Sequence, residues 1–309
     1  MKPRALAHGD TLGLIAPSGG VQEPGRVERA AERLGELGFR VKQGPGCGAS
    51  WGYLAGKDSI RAADLNAFFA DPEVDGIVCL KGGYGTPRIL DHIDYASIAR
   101  NPKVFVGYSD VTGLHLALGK TCGLVTFHGP MPSSDMLPEF DEFSRASWRA
   151  ALMTTGPLGM LVNPEARRLE RIVGGTARGP VAGGNLSLVA ATMGTPYEID
   201  ARGRILFFED VDEAPYRVDR MLTQLRLAGK FEQCAGVLLG TWKDCVPREG
   251  RPSLSLAQVF EEVIAPAGKP VAFGLQAGHC TPALTFPLGV EAVLDADAGT
   301  LEFVESATC

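Results

Sequence analysis

From Leu12 to Gly119, short apolar runs alternate with longer segments of helical periodicity. Leu12–Ala16, Phe39–Lys42, Gly76–Leu80, Val104–Val106 and Leu124–Phe127 read as strands. Between them, Gly25–Leu37 carries Val27, Ala30, Ala31, Leu34 and Leu37 on one helical face and stops at Gly38, a suitable C′ residue. A second helix is expected from Asp58, as its cap, to Ala70, a short one near Arg88–Leu90, and another from about Val111 with Asp110 as its cap. A strand that returns through a helix must lie parallel to its predecessor. The fold class expected is therefore α/β, with an N-terminal parallel sheet flanked by helices on both faces. Ligands in such folds bind beyond the C-terminal strand ends.

The second half changes character. Short strands at Arg171–Val173, Ile205–Phe208, Gly236–Trp242 and Val271–Phe273 are separated by Gly/Pro turns, with helices at Asn185–Met193 and Tyr216–Leu227. The chain ends in a hairpin, Val290–Leu294 against Thr300–Val304. The expected division is an α/β domain over 1–135, a linker over 136–166 that contains a helix near Phe140–Met153, and a C-terminal mixed domain over 167–309.

Composition narrows the function. The 30 basic and 36 acidic residues leave a net charge of −6, which argues against a nucleic-acid or anionic-membrane surface. His8, Gly9 and Asp10 interrupt the first apolar stretch, and no window reaches the ~18 apolar residues of a membrane span, so a cytoplasmic protein is expected. Seven scattered cysteines without a C-x-x-C pair suit reduced thiols rather than a disulfide framework or a zinc site.

Two loops fall at the C-terminal ends of expected strands. In V-F-V-G-Y-S-D-V-T, Ser109 sits between a strand and a helix, as in a nucleophile elbow, although Val111 departs from G-x-S-x-G. The same string also describes an ordinary strand followed by a capped helix. In K-G-G-Y-G, residues 81–85, the glycines allow backbone N–H groups to approach a ligand, yet a tight strand–helix turn reads the same way. Neither loop has dinucleotide or P-loop spacing. Trp51 and Tyr53 lie in a Gly-rich loop and suit either local packing or a ligand cleft.

An activated Ser needs a base within hydrogen-bond reach and a group to orient that base. Of five histidines, His279 in the loop G-L-Q-A-G-H-C has the freedom to reach a neighbouring domain, although a lone loop histidine equally reads as surface, and His128, at a strand end, is the second choice; His115 lies six residues along the helix from Ser109 and points away. Glu209 directly follows the apolar run Ile205–Phe208, where a carboxylate needs a partner or serves as a turn cap.

The blocks K-G-G-Y-G-T-P-R-I-L, V-F-V-G-Y-S-D-V-T, T-F-H-G-P-M, V-A-G-G-N-L-S-L, F-F-E-D-V-D-E-A-P-Y-R-V-D-R-M-L and Q-A-G-H-C occur in an order that resembles the LD-carboxypeptidase family of serine peptidases, nearly end to end. The resemblance implies Ser109 as nucleophile, His279 as general base and Glu209 as the residue orienting the imidazole, with the backbone N–H groups of Gly83 and Asp110 as oxyanion donors. It implies removal of the terminal D-Ala from a murein tetrapeptide in cell-wall recycling, without metal or organic cofactor, and suggests a homodimer. Lys81, Tyr84, Trp51 and Arg88 are candidates for binding substrate. The alternatives are a serine amidase of the same family acting on a peptide–nucleotide antibiotic, with Trp51 and Tyr53 stacking on the base, and a catalytically silent sensor of a small ligand.

Overall fold

The computed structural model describes residues 1–309. Its strands are β1 (Thr11–Ile15), β2 (Arg40–Gln43), β3 (Gly76–Cys79), β4 (Val104–Gly107), β5 (Thr126–His128), β6 (Pro157–Leu161), β7 (Glu170–Val173), β8 (Thr176–Asn185), β9 (Ile205–Val211), β10 (Gly236–Lys243), β11 (Val271–Phe273), β12 (Phe286–Leu288), β13 (Glu291–Asp295) and β14 (Thr300–Ser306). Helices are α1 (Arg26–Glu36), α2 (Asp58–Ala70), α3 (Tyr95–Arg100), α4 (Thr112–Cys122), α5 (Glu142–Met153), α6 (Leu186–Ala191), α7 (Pro215–Leu227), α8 (Lys230–Gln233) and α9 (Leu256–Val263).

The first sheet has the order β12-β5-β4-β3-β1-β2. Strands β1 to β5 are mutually parallel, as the alternation with helices requires. Side chains alternate across it. Leu12 and Leu14 of β1 pack with Ala30 and Leu34 of α1, whereas Ile15, Ile77 and Phe105 pack with Leu65 and Phe68 of α2 and Leu114 of α4. The edge strand β12 comes from the far end of the chain and pairs antiparallel with β5 through Phe286↔His128. This strand is absent from the sequence reading because F-P-L is three residues long and carries a proline, which only an edge position tolerates.

The second sheet, β6-β14-β13-β8-β9-β10-β11-β7, is mixed: β8 to β11 are parallel and the flanking strands antiparallel. Its edge strand β6 falls inside the segment 136–166, where a Gly and partial exposure hide the strand pattern. One apolar cluster runs without interruption from Leu14 and Val106 through Phe127 and Phe286 to Phe207 and Phe303, so the two sheets share a core.

Two expected caps are different. Asp58 is the first residue of α2 rather than its cap, and its carboxylate pairs with Arg61 and Arg88. Asp110 does not cap α4. A 3₁₀ turn, Ser109–Val111, precedes that helix, and the buried Asp110 carboxylate instead accepts from the N–H groups of Gly85 (3.2 Å) and Thr86 (2.9 Å). The side chain thus satisfies the orphan donors of the neighbouring turn, Thr86–His92, and ties the K-G-G-Y-G loop to the Ser109 turn.

Candidate active site

Strand β4 ends on Gly107, and Tyr108 continues extended before the chain bends sharply at Ser109, whose φ is 61°. A left-handed conformation is costly for a non-glycine residue, by about 1–3 kcal/mol, and concentrates at functional turns. Here it lifts the Ser109 hydroxyl off the end of the sheet at the entrance to α4. The loop after β3 lies directly against it: a Cβ on Gly82 would come within 3.0 Å of Ser109 Cβ and 3.1 Å of its Oγ. Any larger residue here would have to push the Ser109 side chain aside by a few tenths of an ångström. Neither the Gly83 N–H nor the Asp110 N–H donates to another protein atom, and both follow directly on residues of this contact.

The second sheet supplies the partners. Glu209 stands on β9 with 0 % exposure. His279 stands in the loop after β11 with its side chain 17 % exposed. His279 Nδ1 lies 2.7 Å from Glu209 Oε2, and Nε2 lies 3.1 Å from Ser109 Oγ. With the proton on Nδ1 donated to the carboxylate, Nε2 accepts from the serine hydroxyl. Burial pulls the imidazole pKa down, but the hydrogen bond and charge of Glu209, with the charges of Asp135 and Asp210, more than offset it and hold His279 above the ordinary histidine value. The other Glu209 oxygen, Oε1, has no donor, so His279 is the only hydrogen-bond partner of this buried carboxylate. Gly278 makes that possible. At φ 108° it turns the chain, and a Cβ there would sit 2.5 Å from Glu209 Oε2.

Neighbouring contacts hold the two sheets in this relation. Thr112 Oγ1, at the start of α4, accepts from the Asn185 N–H at 2.9 Å, and the Asn185 amide donates to Asp210 Oδ1 at 2.8 Å. Asp210, beside Glu209, also accepts from Ser187 N and Oγ; burial pushes its carboxyl up to about 6. Asn185 and Ser187 belong to the block V-A-G-G-N-L-S-L, Asp210 to F-F-E-D and Thr112 to V-F-V-G-Y-S-D-V-T, yet nothing in the sequence marks them as a bridge between the sheets.

The other histidines are accounted for by packing. His115 is buried, its ring nitrogens meeting Gly107 O (2.8 Å) and Thr126 Oγ1 (2.9 Å), and burial lowers it to about 4. His128, the second choice for a base, is buried among Tyr108, Phe207 and Phe286 with neither ring nitrogen hydrogen-bonded. It touches no nucleophile. The Cys280 thiol, beside His279, is pushed up to about 12 by burial and is therefore a poor nucleophile.

The binding candidates are dispersed. Lys81 and Tyr84 flank Gly82 and Gly83; Tyr84 is 55 % exposed and packs edge-on to Tyr53 at 5.4 Å. Trp51 is half-exposed beneath the Arg88 guanidinium, 5.8 Å away. Arg88 itself forms a bidentate pair with Asp58 and is not a free carboxylate receptor. A cleft of about 650 Å³ opens instead on the C-terminal side of His279, with Arg168, Trp242, Lys243 and Gln276 in its walls.

The LD-carboxypeptidase N-terminal domain matches residues 12–129, and the LD-carboxypeptidase C-terminal domain matches residues 178–294. The chain belongs to the LD-carboxypeptidase family. A probable murein peptide carboxypeptidase of Bacillus subtilis is 45% identical over 295 residues, 95% of this chain and 91% of that protein. The Escherichia coli microcin C7 self-immunity protein MccF is 29% identical over 97% of this chain and 94% of its own length. A structure of MccF in complex with aspartyl sulfamoyl adenosine superposes with a TM-score of 0.92 at 27% identity, covering 100% of both chains. The muramoyltetrapeptide carboxypeptidase of Oxalobacter formigenes superposes with a TM-score of 0.82 at 28% identity, over 97% of this chain and 100% of that one. A hydrolase of the LD-carboxypeptidase family thus joins two sheets through Ser109, His279 and Glu209.

Proposed function

We propose that this protein is a serine LD-carboxypeptidase that removes the terminal D-Ala from murein tetrapeptides in cytoplasmic cell-wall recycling. The observation that carries the reading is the unbroken line Ser109 Oγ, His279 Nε2, His279 Nδ1, Glu209 Oε2 across the two sheets. In this mechanism His279 takes the Ser109 proton as Oγ attacks the amide carbonyl. Glu209 holds the tautomer with Nε2 free and stabilises the imidazolium that forms. The N–H groups of Gly83 and Asp110 receive the developing oxyanion, consistent with their having no acceptor of their own. The C–N bond then breaks, His279 protonates the leaving amine of D-Ala, and water hydrolyses the acyl-enzyme with the roles reversed. The 45% identity to a probable murein peptide carboxypeptidase supports this substrate class.

Mass spectrometry of the products from a defined tetrapeptide tests the bond cut. Folded Ser109→Ala and His279→Ala proteins are each expected to lose roughly 10³-fold or more in kcat/KM. Release of D-Ala at a near wild-type rate by either would overturn the assignment. The likeness to MccF, together with the exposed aromatic group Trp51, Tyr53 and Tyr84, favours a second reading, an amidase acting on an aminoacyl sulfamoyl adenylate. Hydrolysis of that compound in preference to the tetrapeptide would select it.

A further inference from the structure

His279 is held by more than Glu209. The Tyr108 ring lies 4.9 Å from the imidazole centroid at an interplanar angle of 63°, an edge-to-face contact. Tyr108 is itself buried, and its hydroxyl donates to Asp135 Oδ1 at 2.7 Å. Asp135 belongs to the turn Pro132–Met136, and its second oxygen accepts from Met131 N and Ser134 Oγ, both at 2.8 Å. Tyr108, Asp135 and Gly278 line one small hollow beside His128, so the phenol is clamped between a rigid carboxylate and the loop that carries His279. Burial, with the carboxylate next to it, keeps the Tyr108 hydroxyl protonated, which makes it a permanent donor.

We propose that Tyr108 and Asp135 are positioning residues for the general base: Asp135 anchors the Tyr108 hydroxyl, and the Tyr108 ring holds the imidazole in line with Ser109 and Glu209. The inference rests on His279 being the base. The groups facing His279 are Glu209 and Asp210 from β9, Tyr108 after β4, Asp135 from its turn, His128 from β5 and Cys280 in its own loop. Of these, Glu209, Asp135 and Asp210 raise the proton affinity of His279, and Asp135 alone does so from outside β9.

Asp135→Asn keeps an acceptor for the phenol and removes the charge. Tyr108→Phe keeps the ring and removes the anchor, and Tyr108→Leu removes both. Two measurements apply: NMR titration of the His279 ring in the free protein, and pH profiles of kcat and KM. In Asp135→Asn the His279 pKa is expected to fall, and the acid limb of kcat/KM to follow it. Tyr108→Leu is expected to lose about 2- to 12-fold in kcat with KM little changed, the rate equivalent of one edge-to-face pair. Tyr108→Phe should fall between Leu and wild type. An unmoved His279 titration in Asp135→Asn, or wild-type kcat in Tyr108→Leu, would overturn the proposal. If Tyr108→Leu does not fold, the Asp135→Asn titration decides. That titration needs no substrate, so it still reads the coupling if murein peptides prove not to be cleaved.

Discussion

Gly278→Ala is the sharpest perturbation the geometry offers, and Gly274→Ala in the same loop is its control. Both glycines have positive φ, 108° and 94°. A Cβ at Gly274 would meet nothing within 4 Å, whereas at Gly278 it would lie 2.5 Å from Glu209 Oε2, 2.8 Å from Cγ and 2.9 Å from Cβ. Gly274→Ala therefore carries only the backbone strain, about 1–3 kcal/mol, and should leave kcat near wild type. Gly278→Ala adds an overpacking penalty of similar size, about 1–3 kcal/mol, because Glu209 is fully buried and has nowhere to retreat. Relief of the clash must move Glu209 or the His279 loop by a large fraction of an ångström, which breaks the 2.7 Å bond to Nδ1. Misplacement on this scale costs on the order of 10²-fold in rate. Urea denaturation would read stability, and D-Ala release from a tetrapeptide would read activity. If Gly278→Ala matches Gly274→Ala in both, the close packing of Gly278 on Glu209 is not what holds the imidazole.

Three further outcomes follow from the same structure. Glu209→Gln keeps the shape but presents an amide to Nδ1, favouring the tautomer with Nε2 protonated; steady-state kinetics should show a loss of about 10³–10⁴-fold in kcat, the scale known for a carboxylate-to-amide change in a Ser-His-Asp triad. The acid limb of the wild-type kcat/KM profile should lie above the ordinary histidine value of 6.5, because Glu209 and its neighbours raise His279 and the base must be neutral to act. His128 is depressed well below 6.5 by burial, with the nearby histidines adding to the effect, so its contribution to stability is present above pH 6.5 and is lost as the pH falls toward its folded value. His128→Phe abolishes that loss; its stability relative to wild type, from urea melts, should be more favourable at pH 5 than at pH 7.5.

The strand–helix alternation of the first 120 residues is readable because the buried strands β1, β3 and β4 are short apolar runs and α1 has a clear amphipathic face, whereas α4, buried on most sides, is marked only by the turn that precedes it. The second sheet was read less completely. Strands β6 and β12 are short, carry glycine or proline and obtain their register from partners far along the chain, so no local periodicity marks them. Asp110 shows the same limit at one residue. Beside a helix start it has the chemistry of a cap, but its carboxylate turns to the adjacent loop, where two backbone donors are buried without another acceptor.

At the site, residue identity and order were enough to nominate Ser109, Glu209 and His279, because a nucleophile, a base and an orienting carboxylate are chemically distinct and sit in recognisable blocks. Their spacing of a hundred residues and seventy residues along the chain carries no distance information. Only the packing of two sheets on one core brings Nε2 to 3.1 Å from Ser109 Oγ. The contacts that hold this alignment, Gly278 on Glu209 and Tyr108 between Asp135 and His279, depend on where Cβ atoms and rings meet in space. A chain of one-letter codes specifies which groups are present; close packing in three dimensions decides which of them touch, and hence which can exchange a proton.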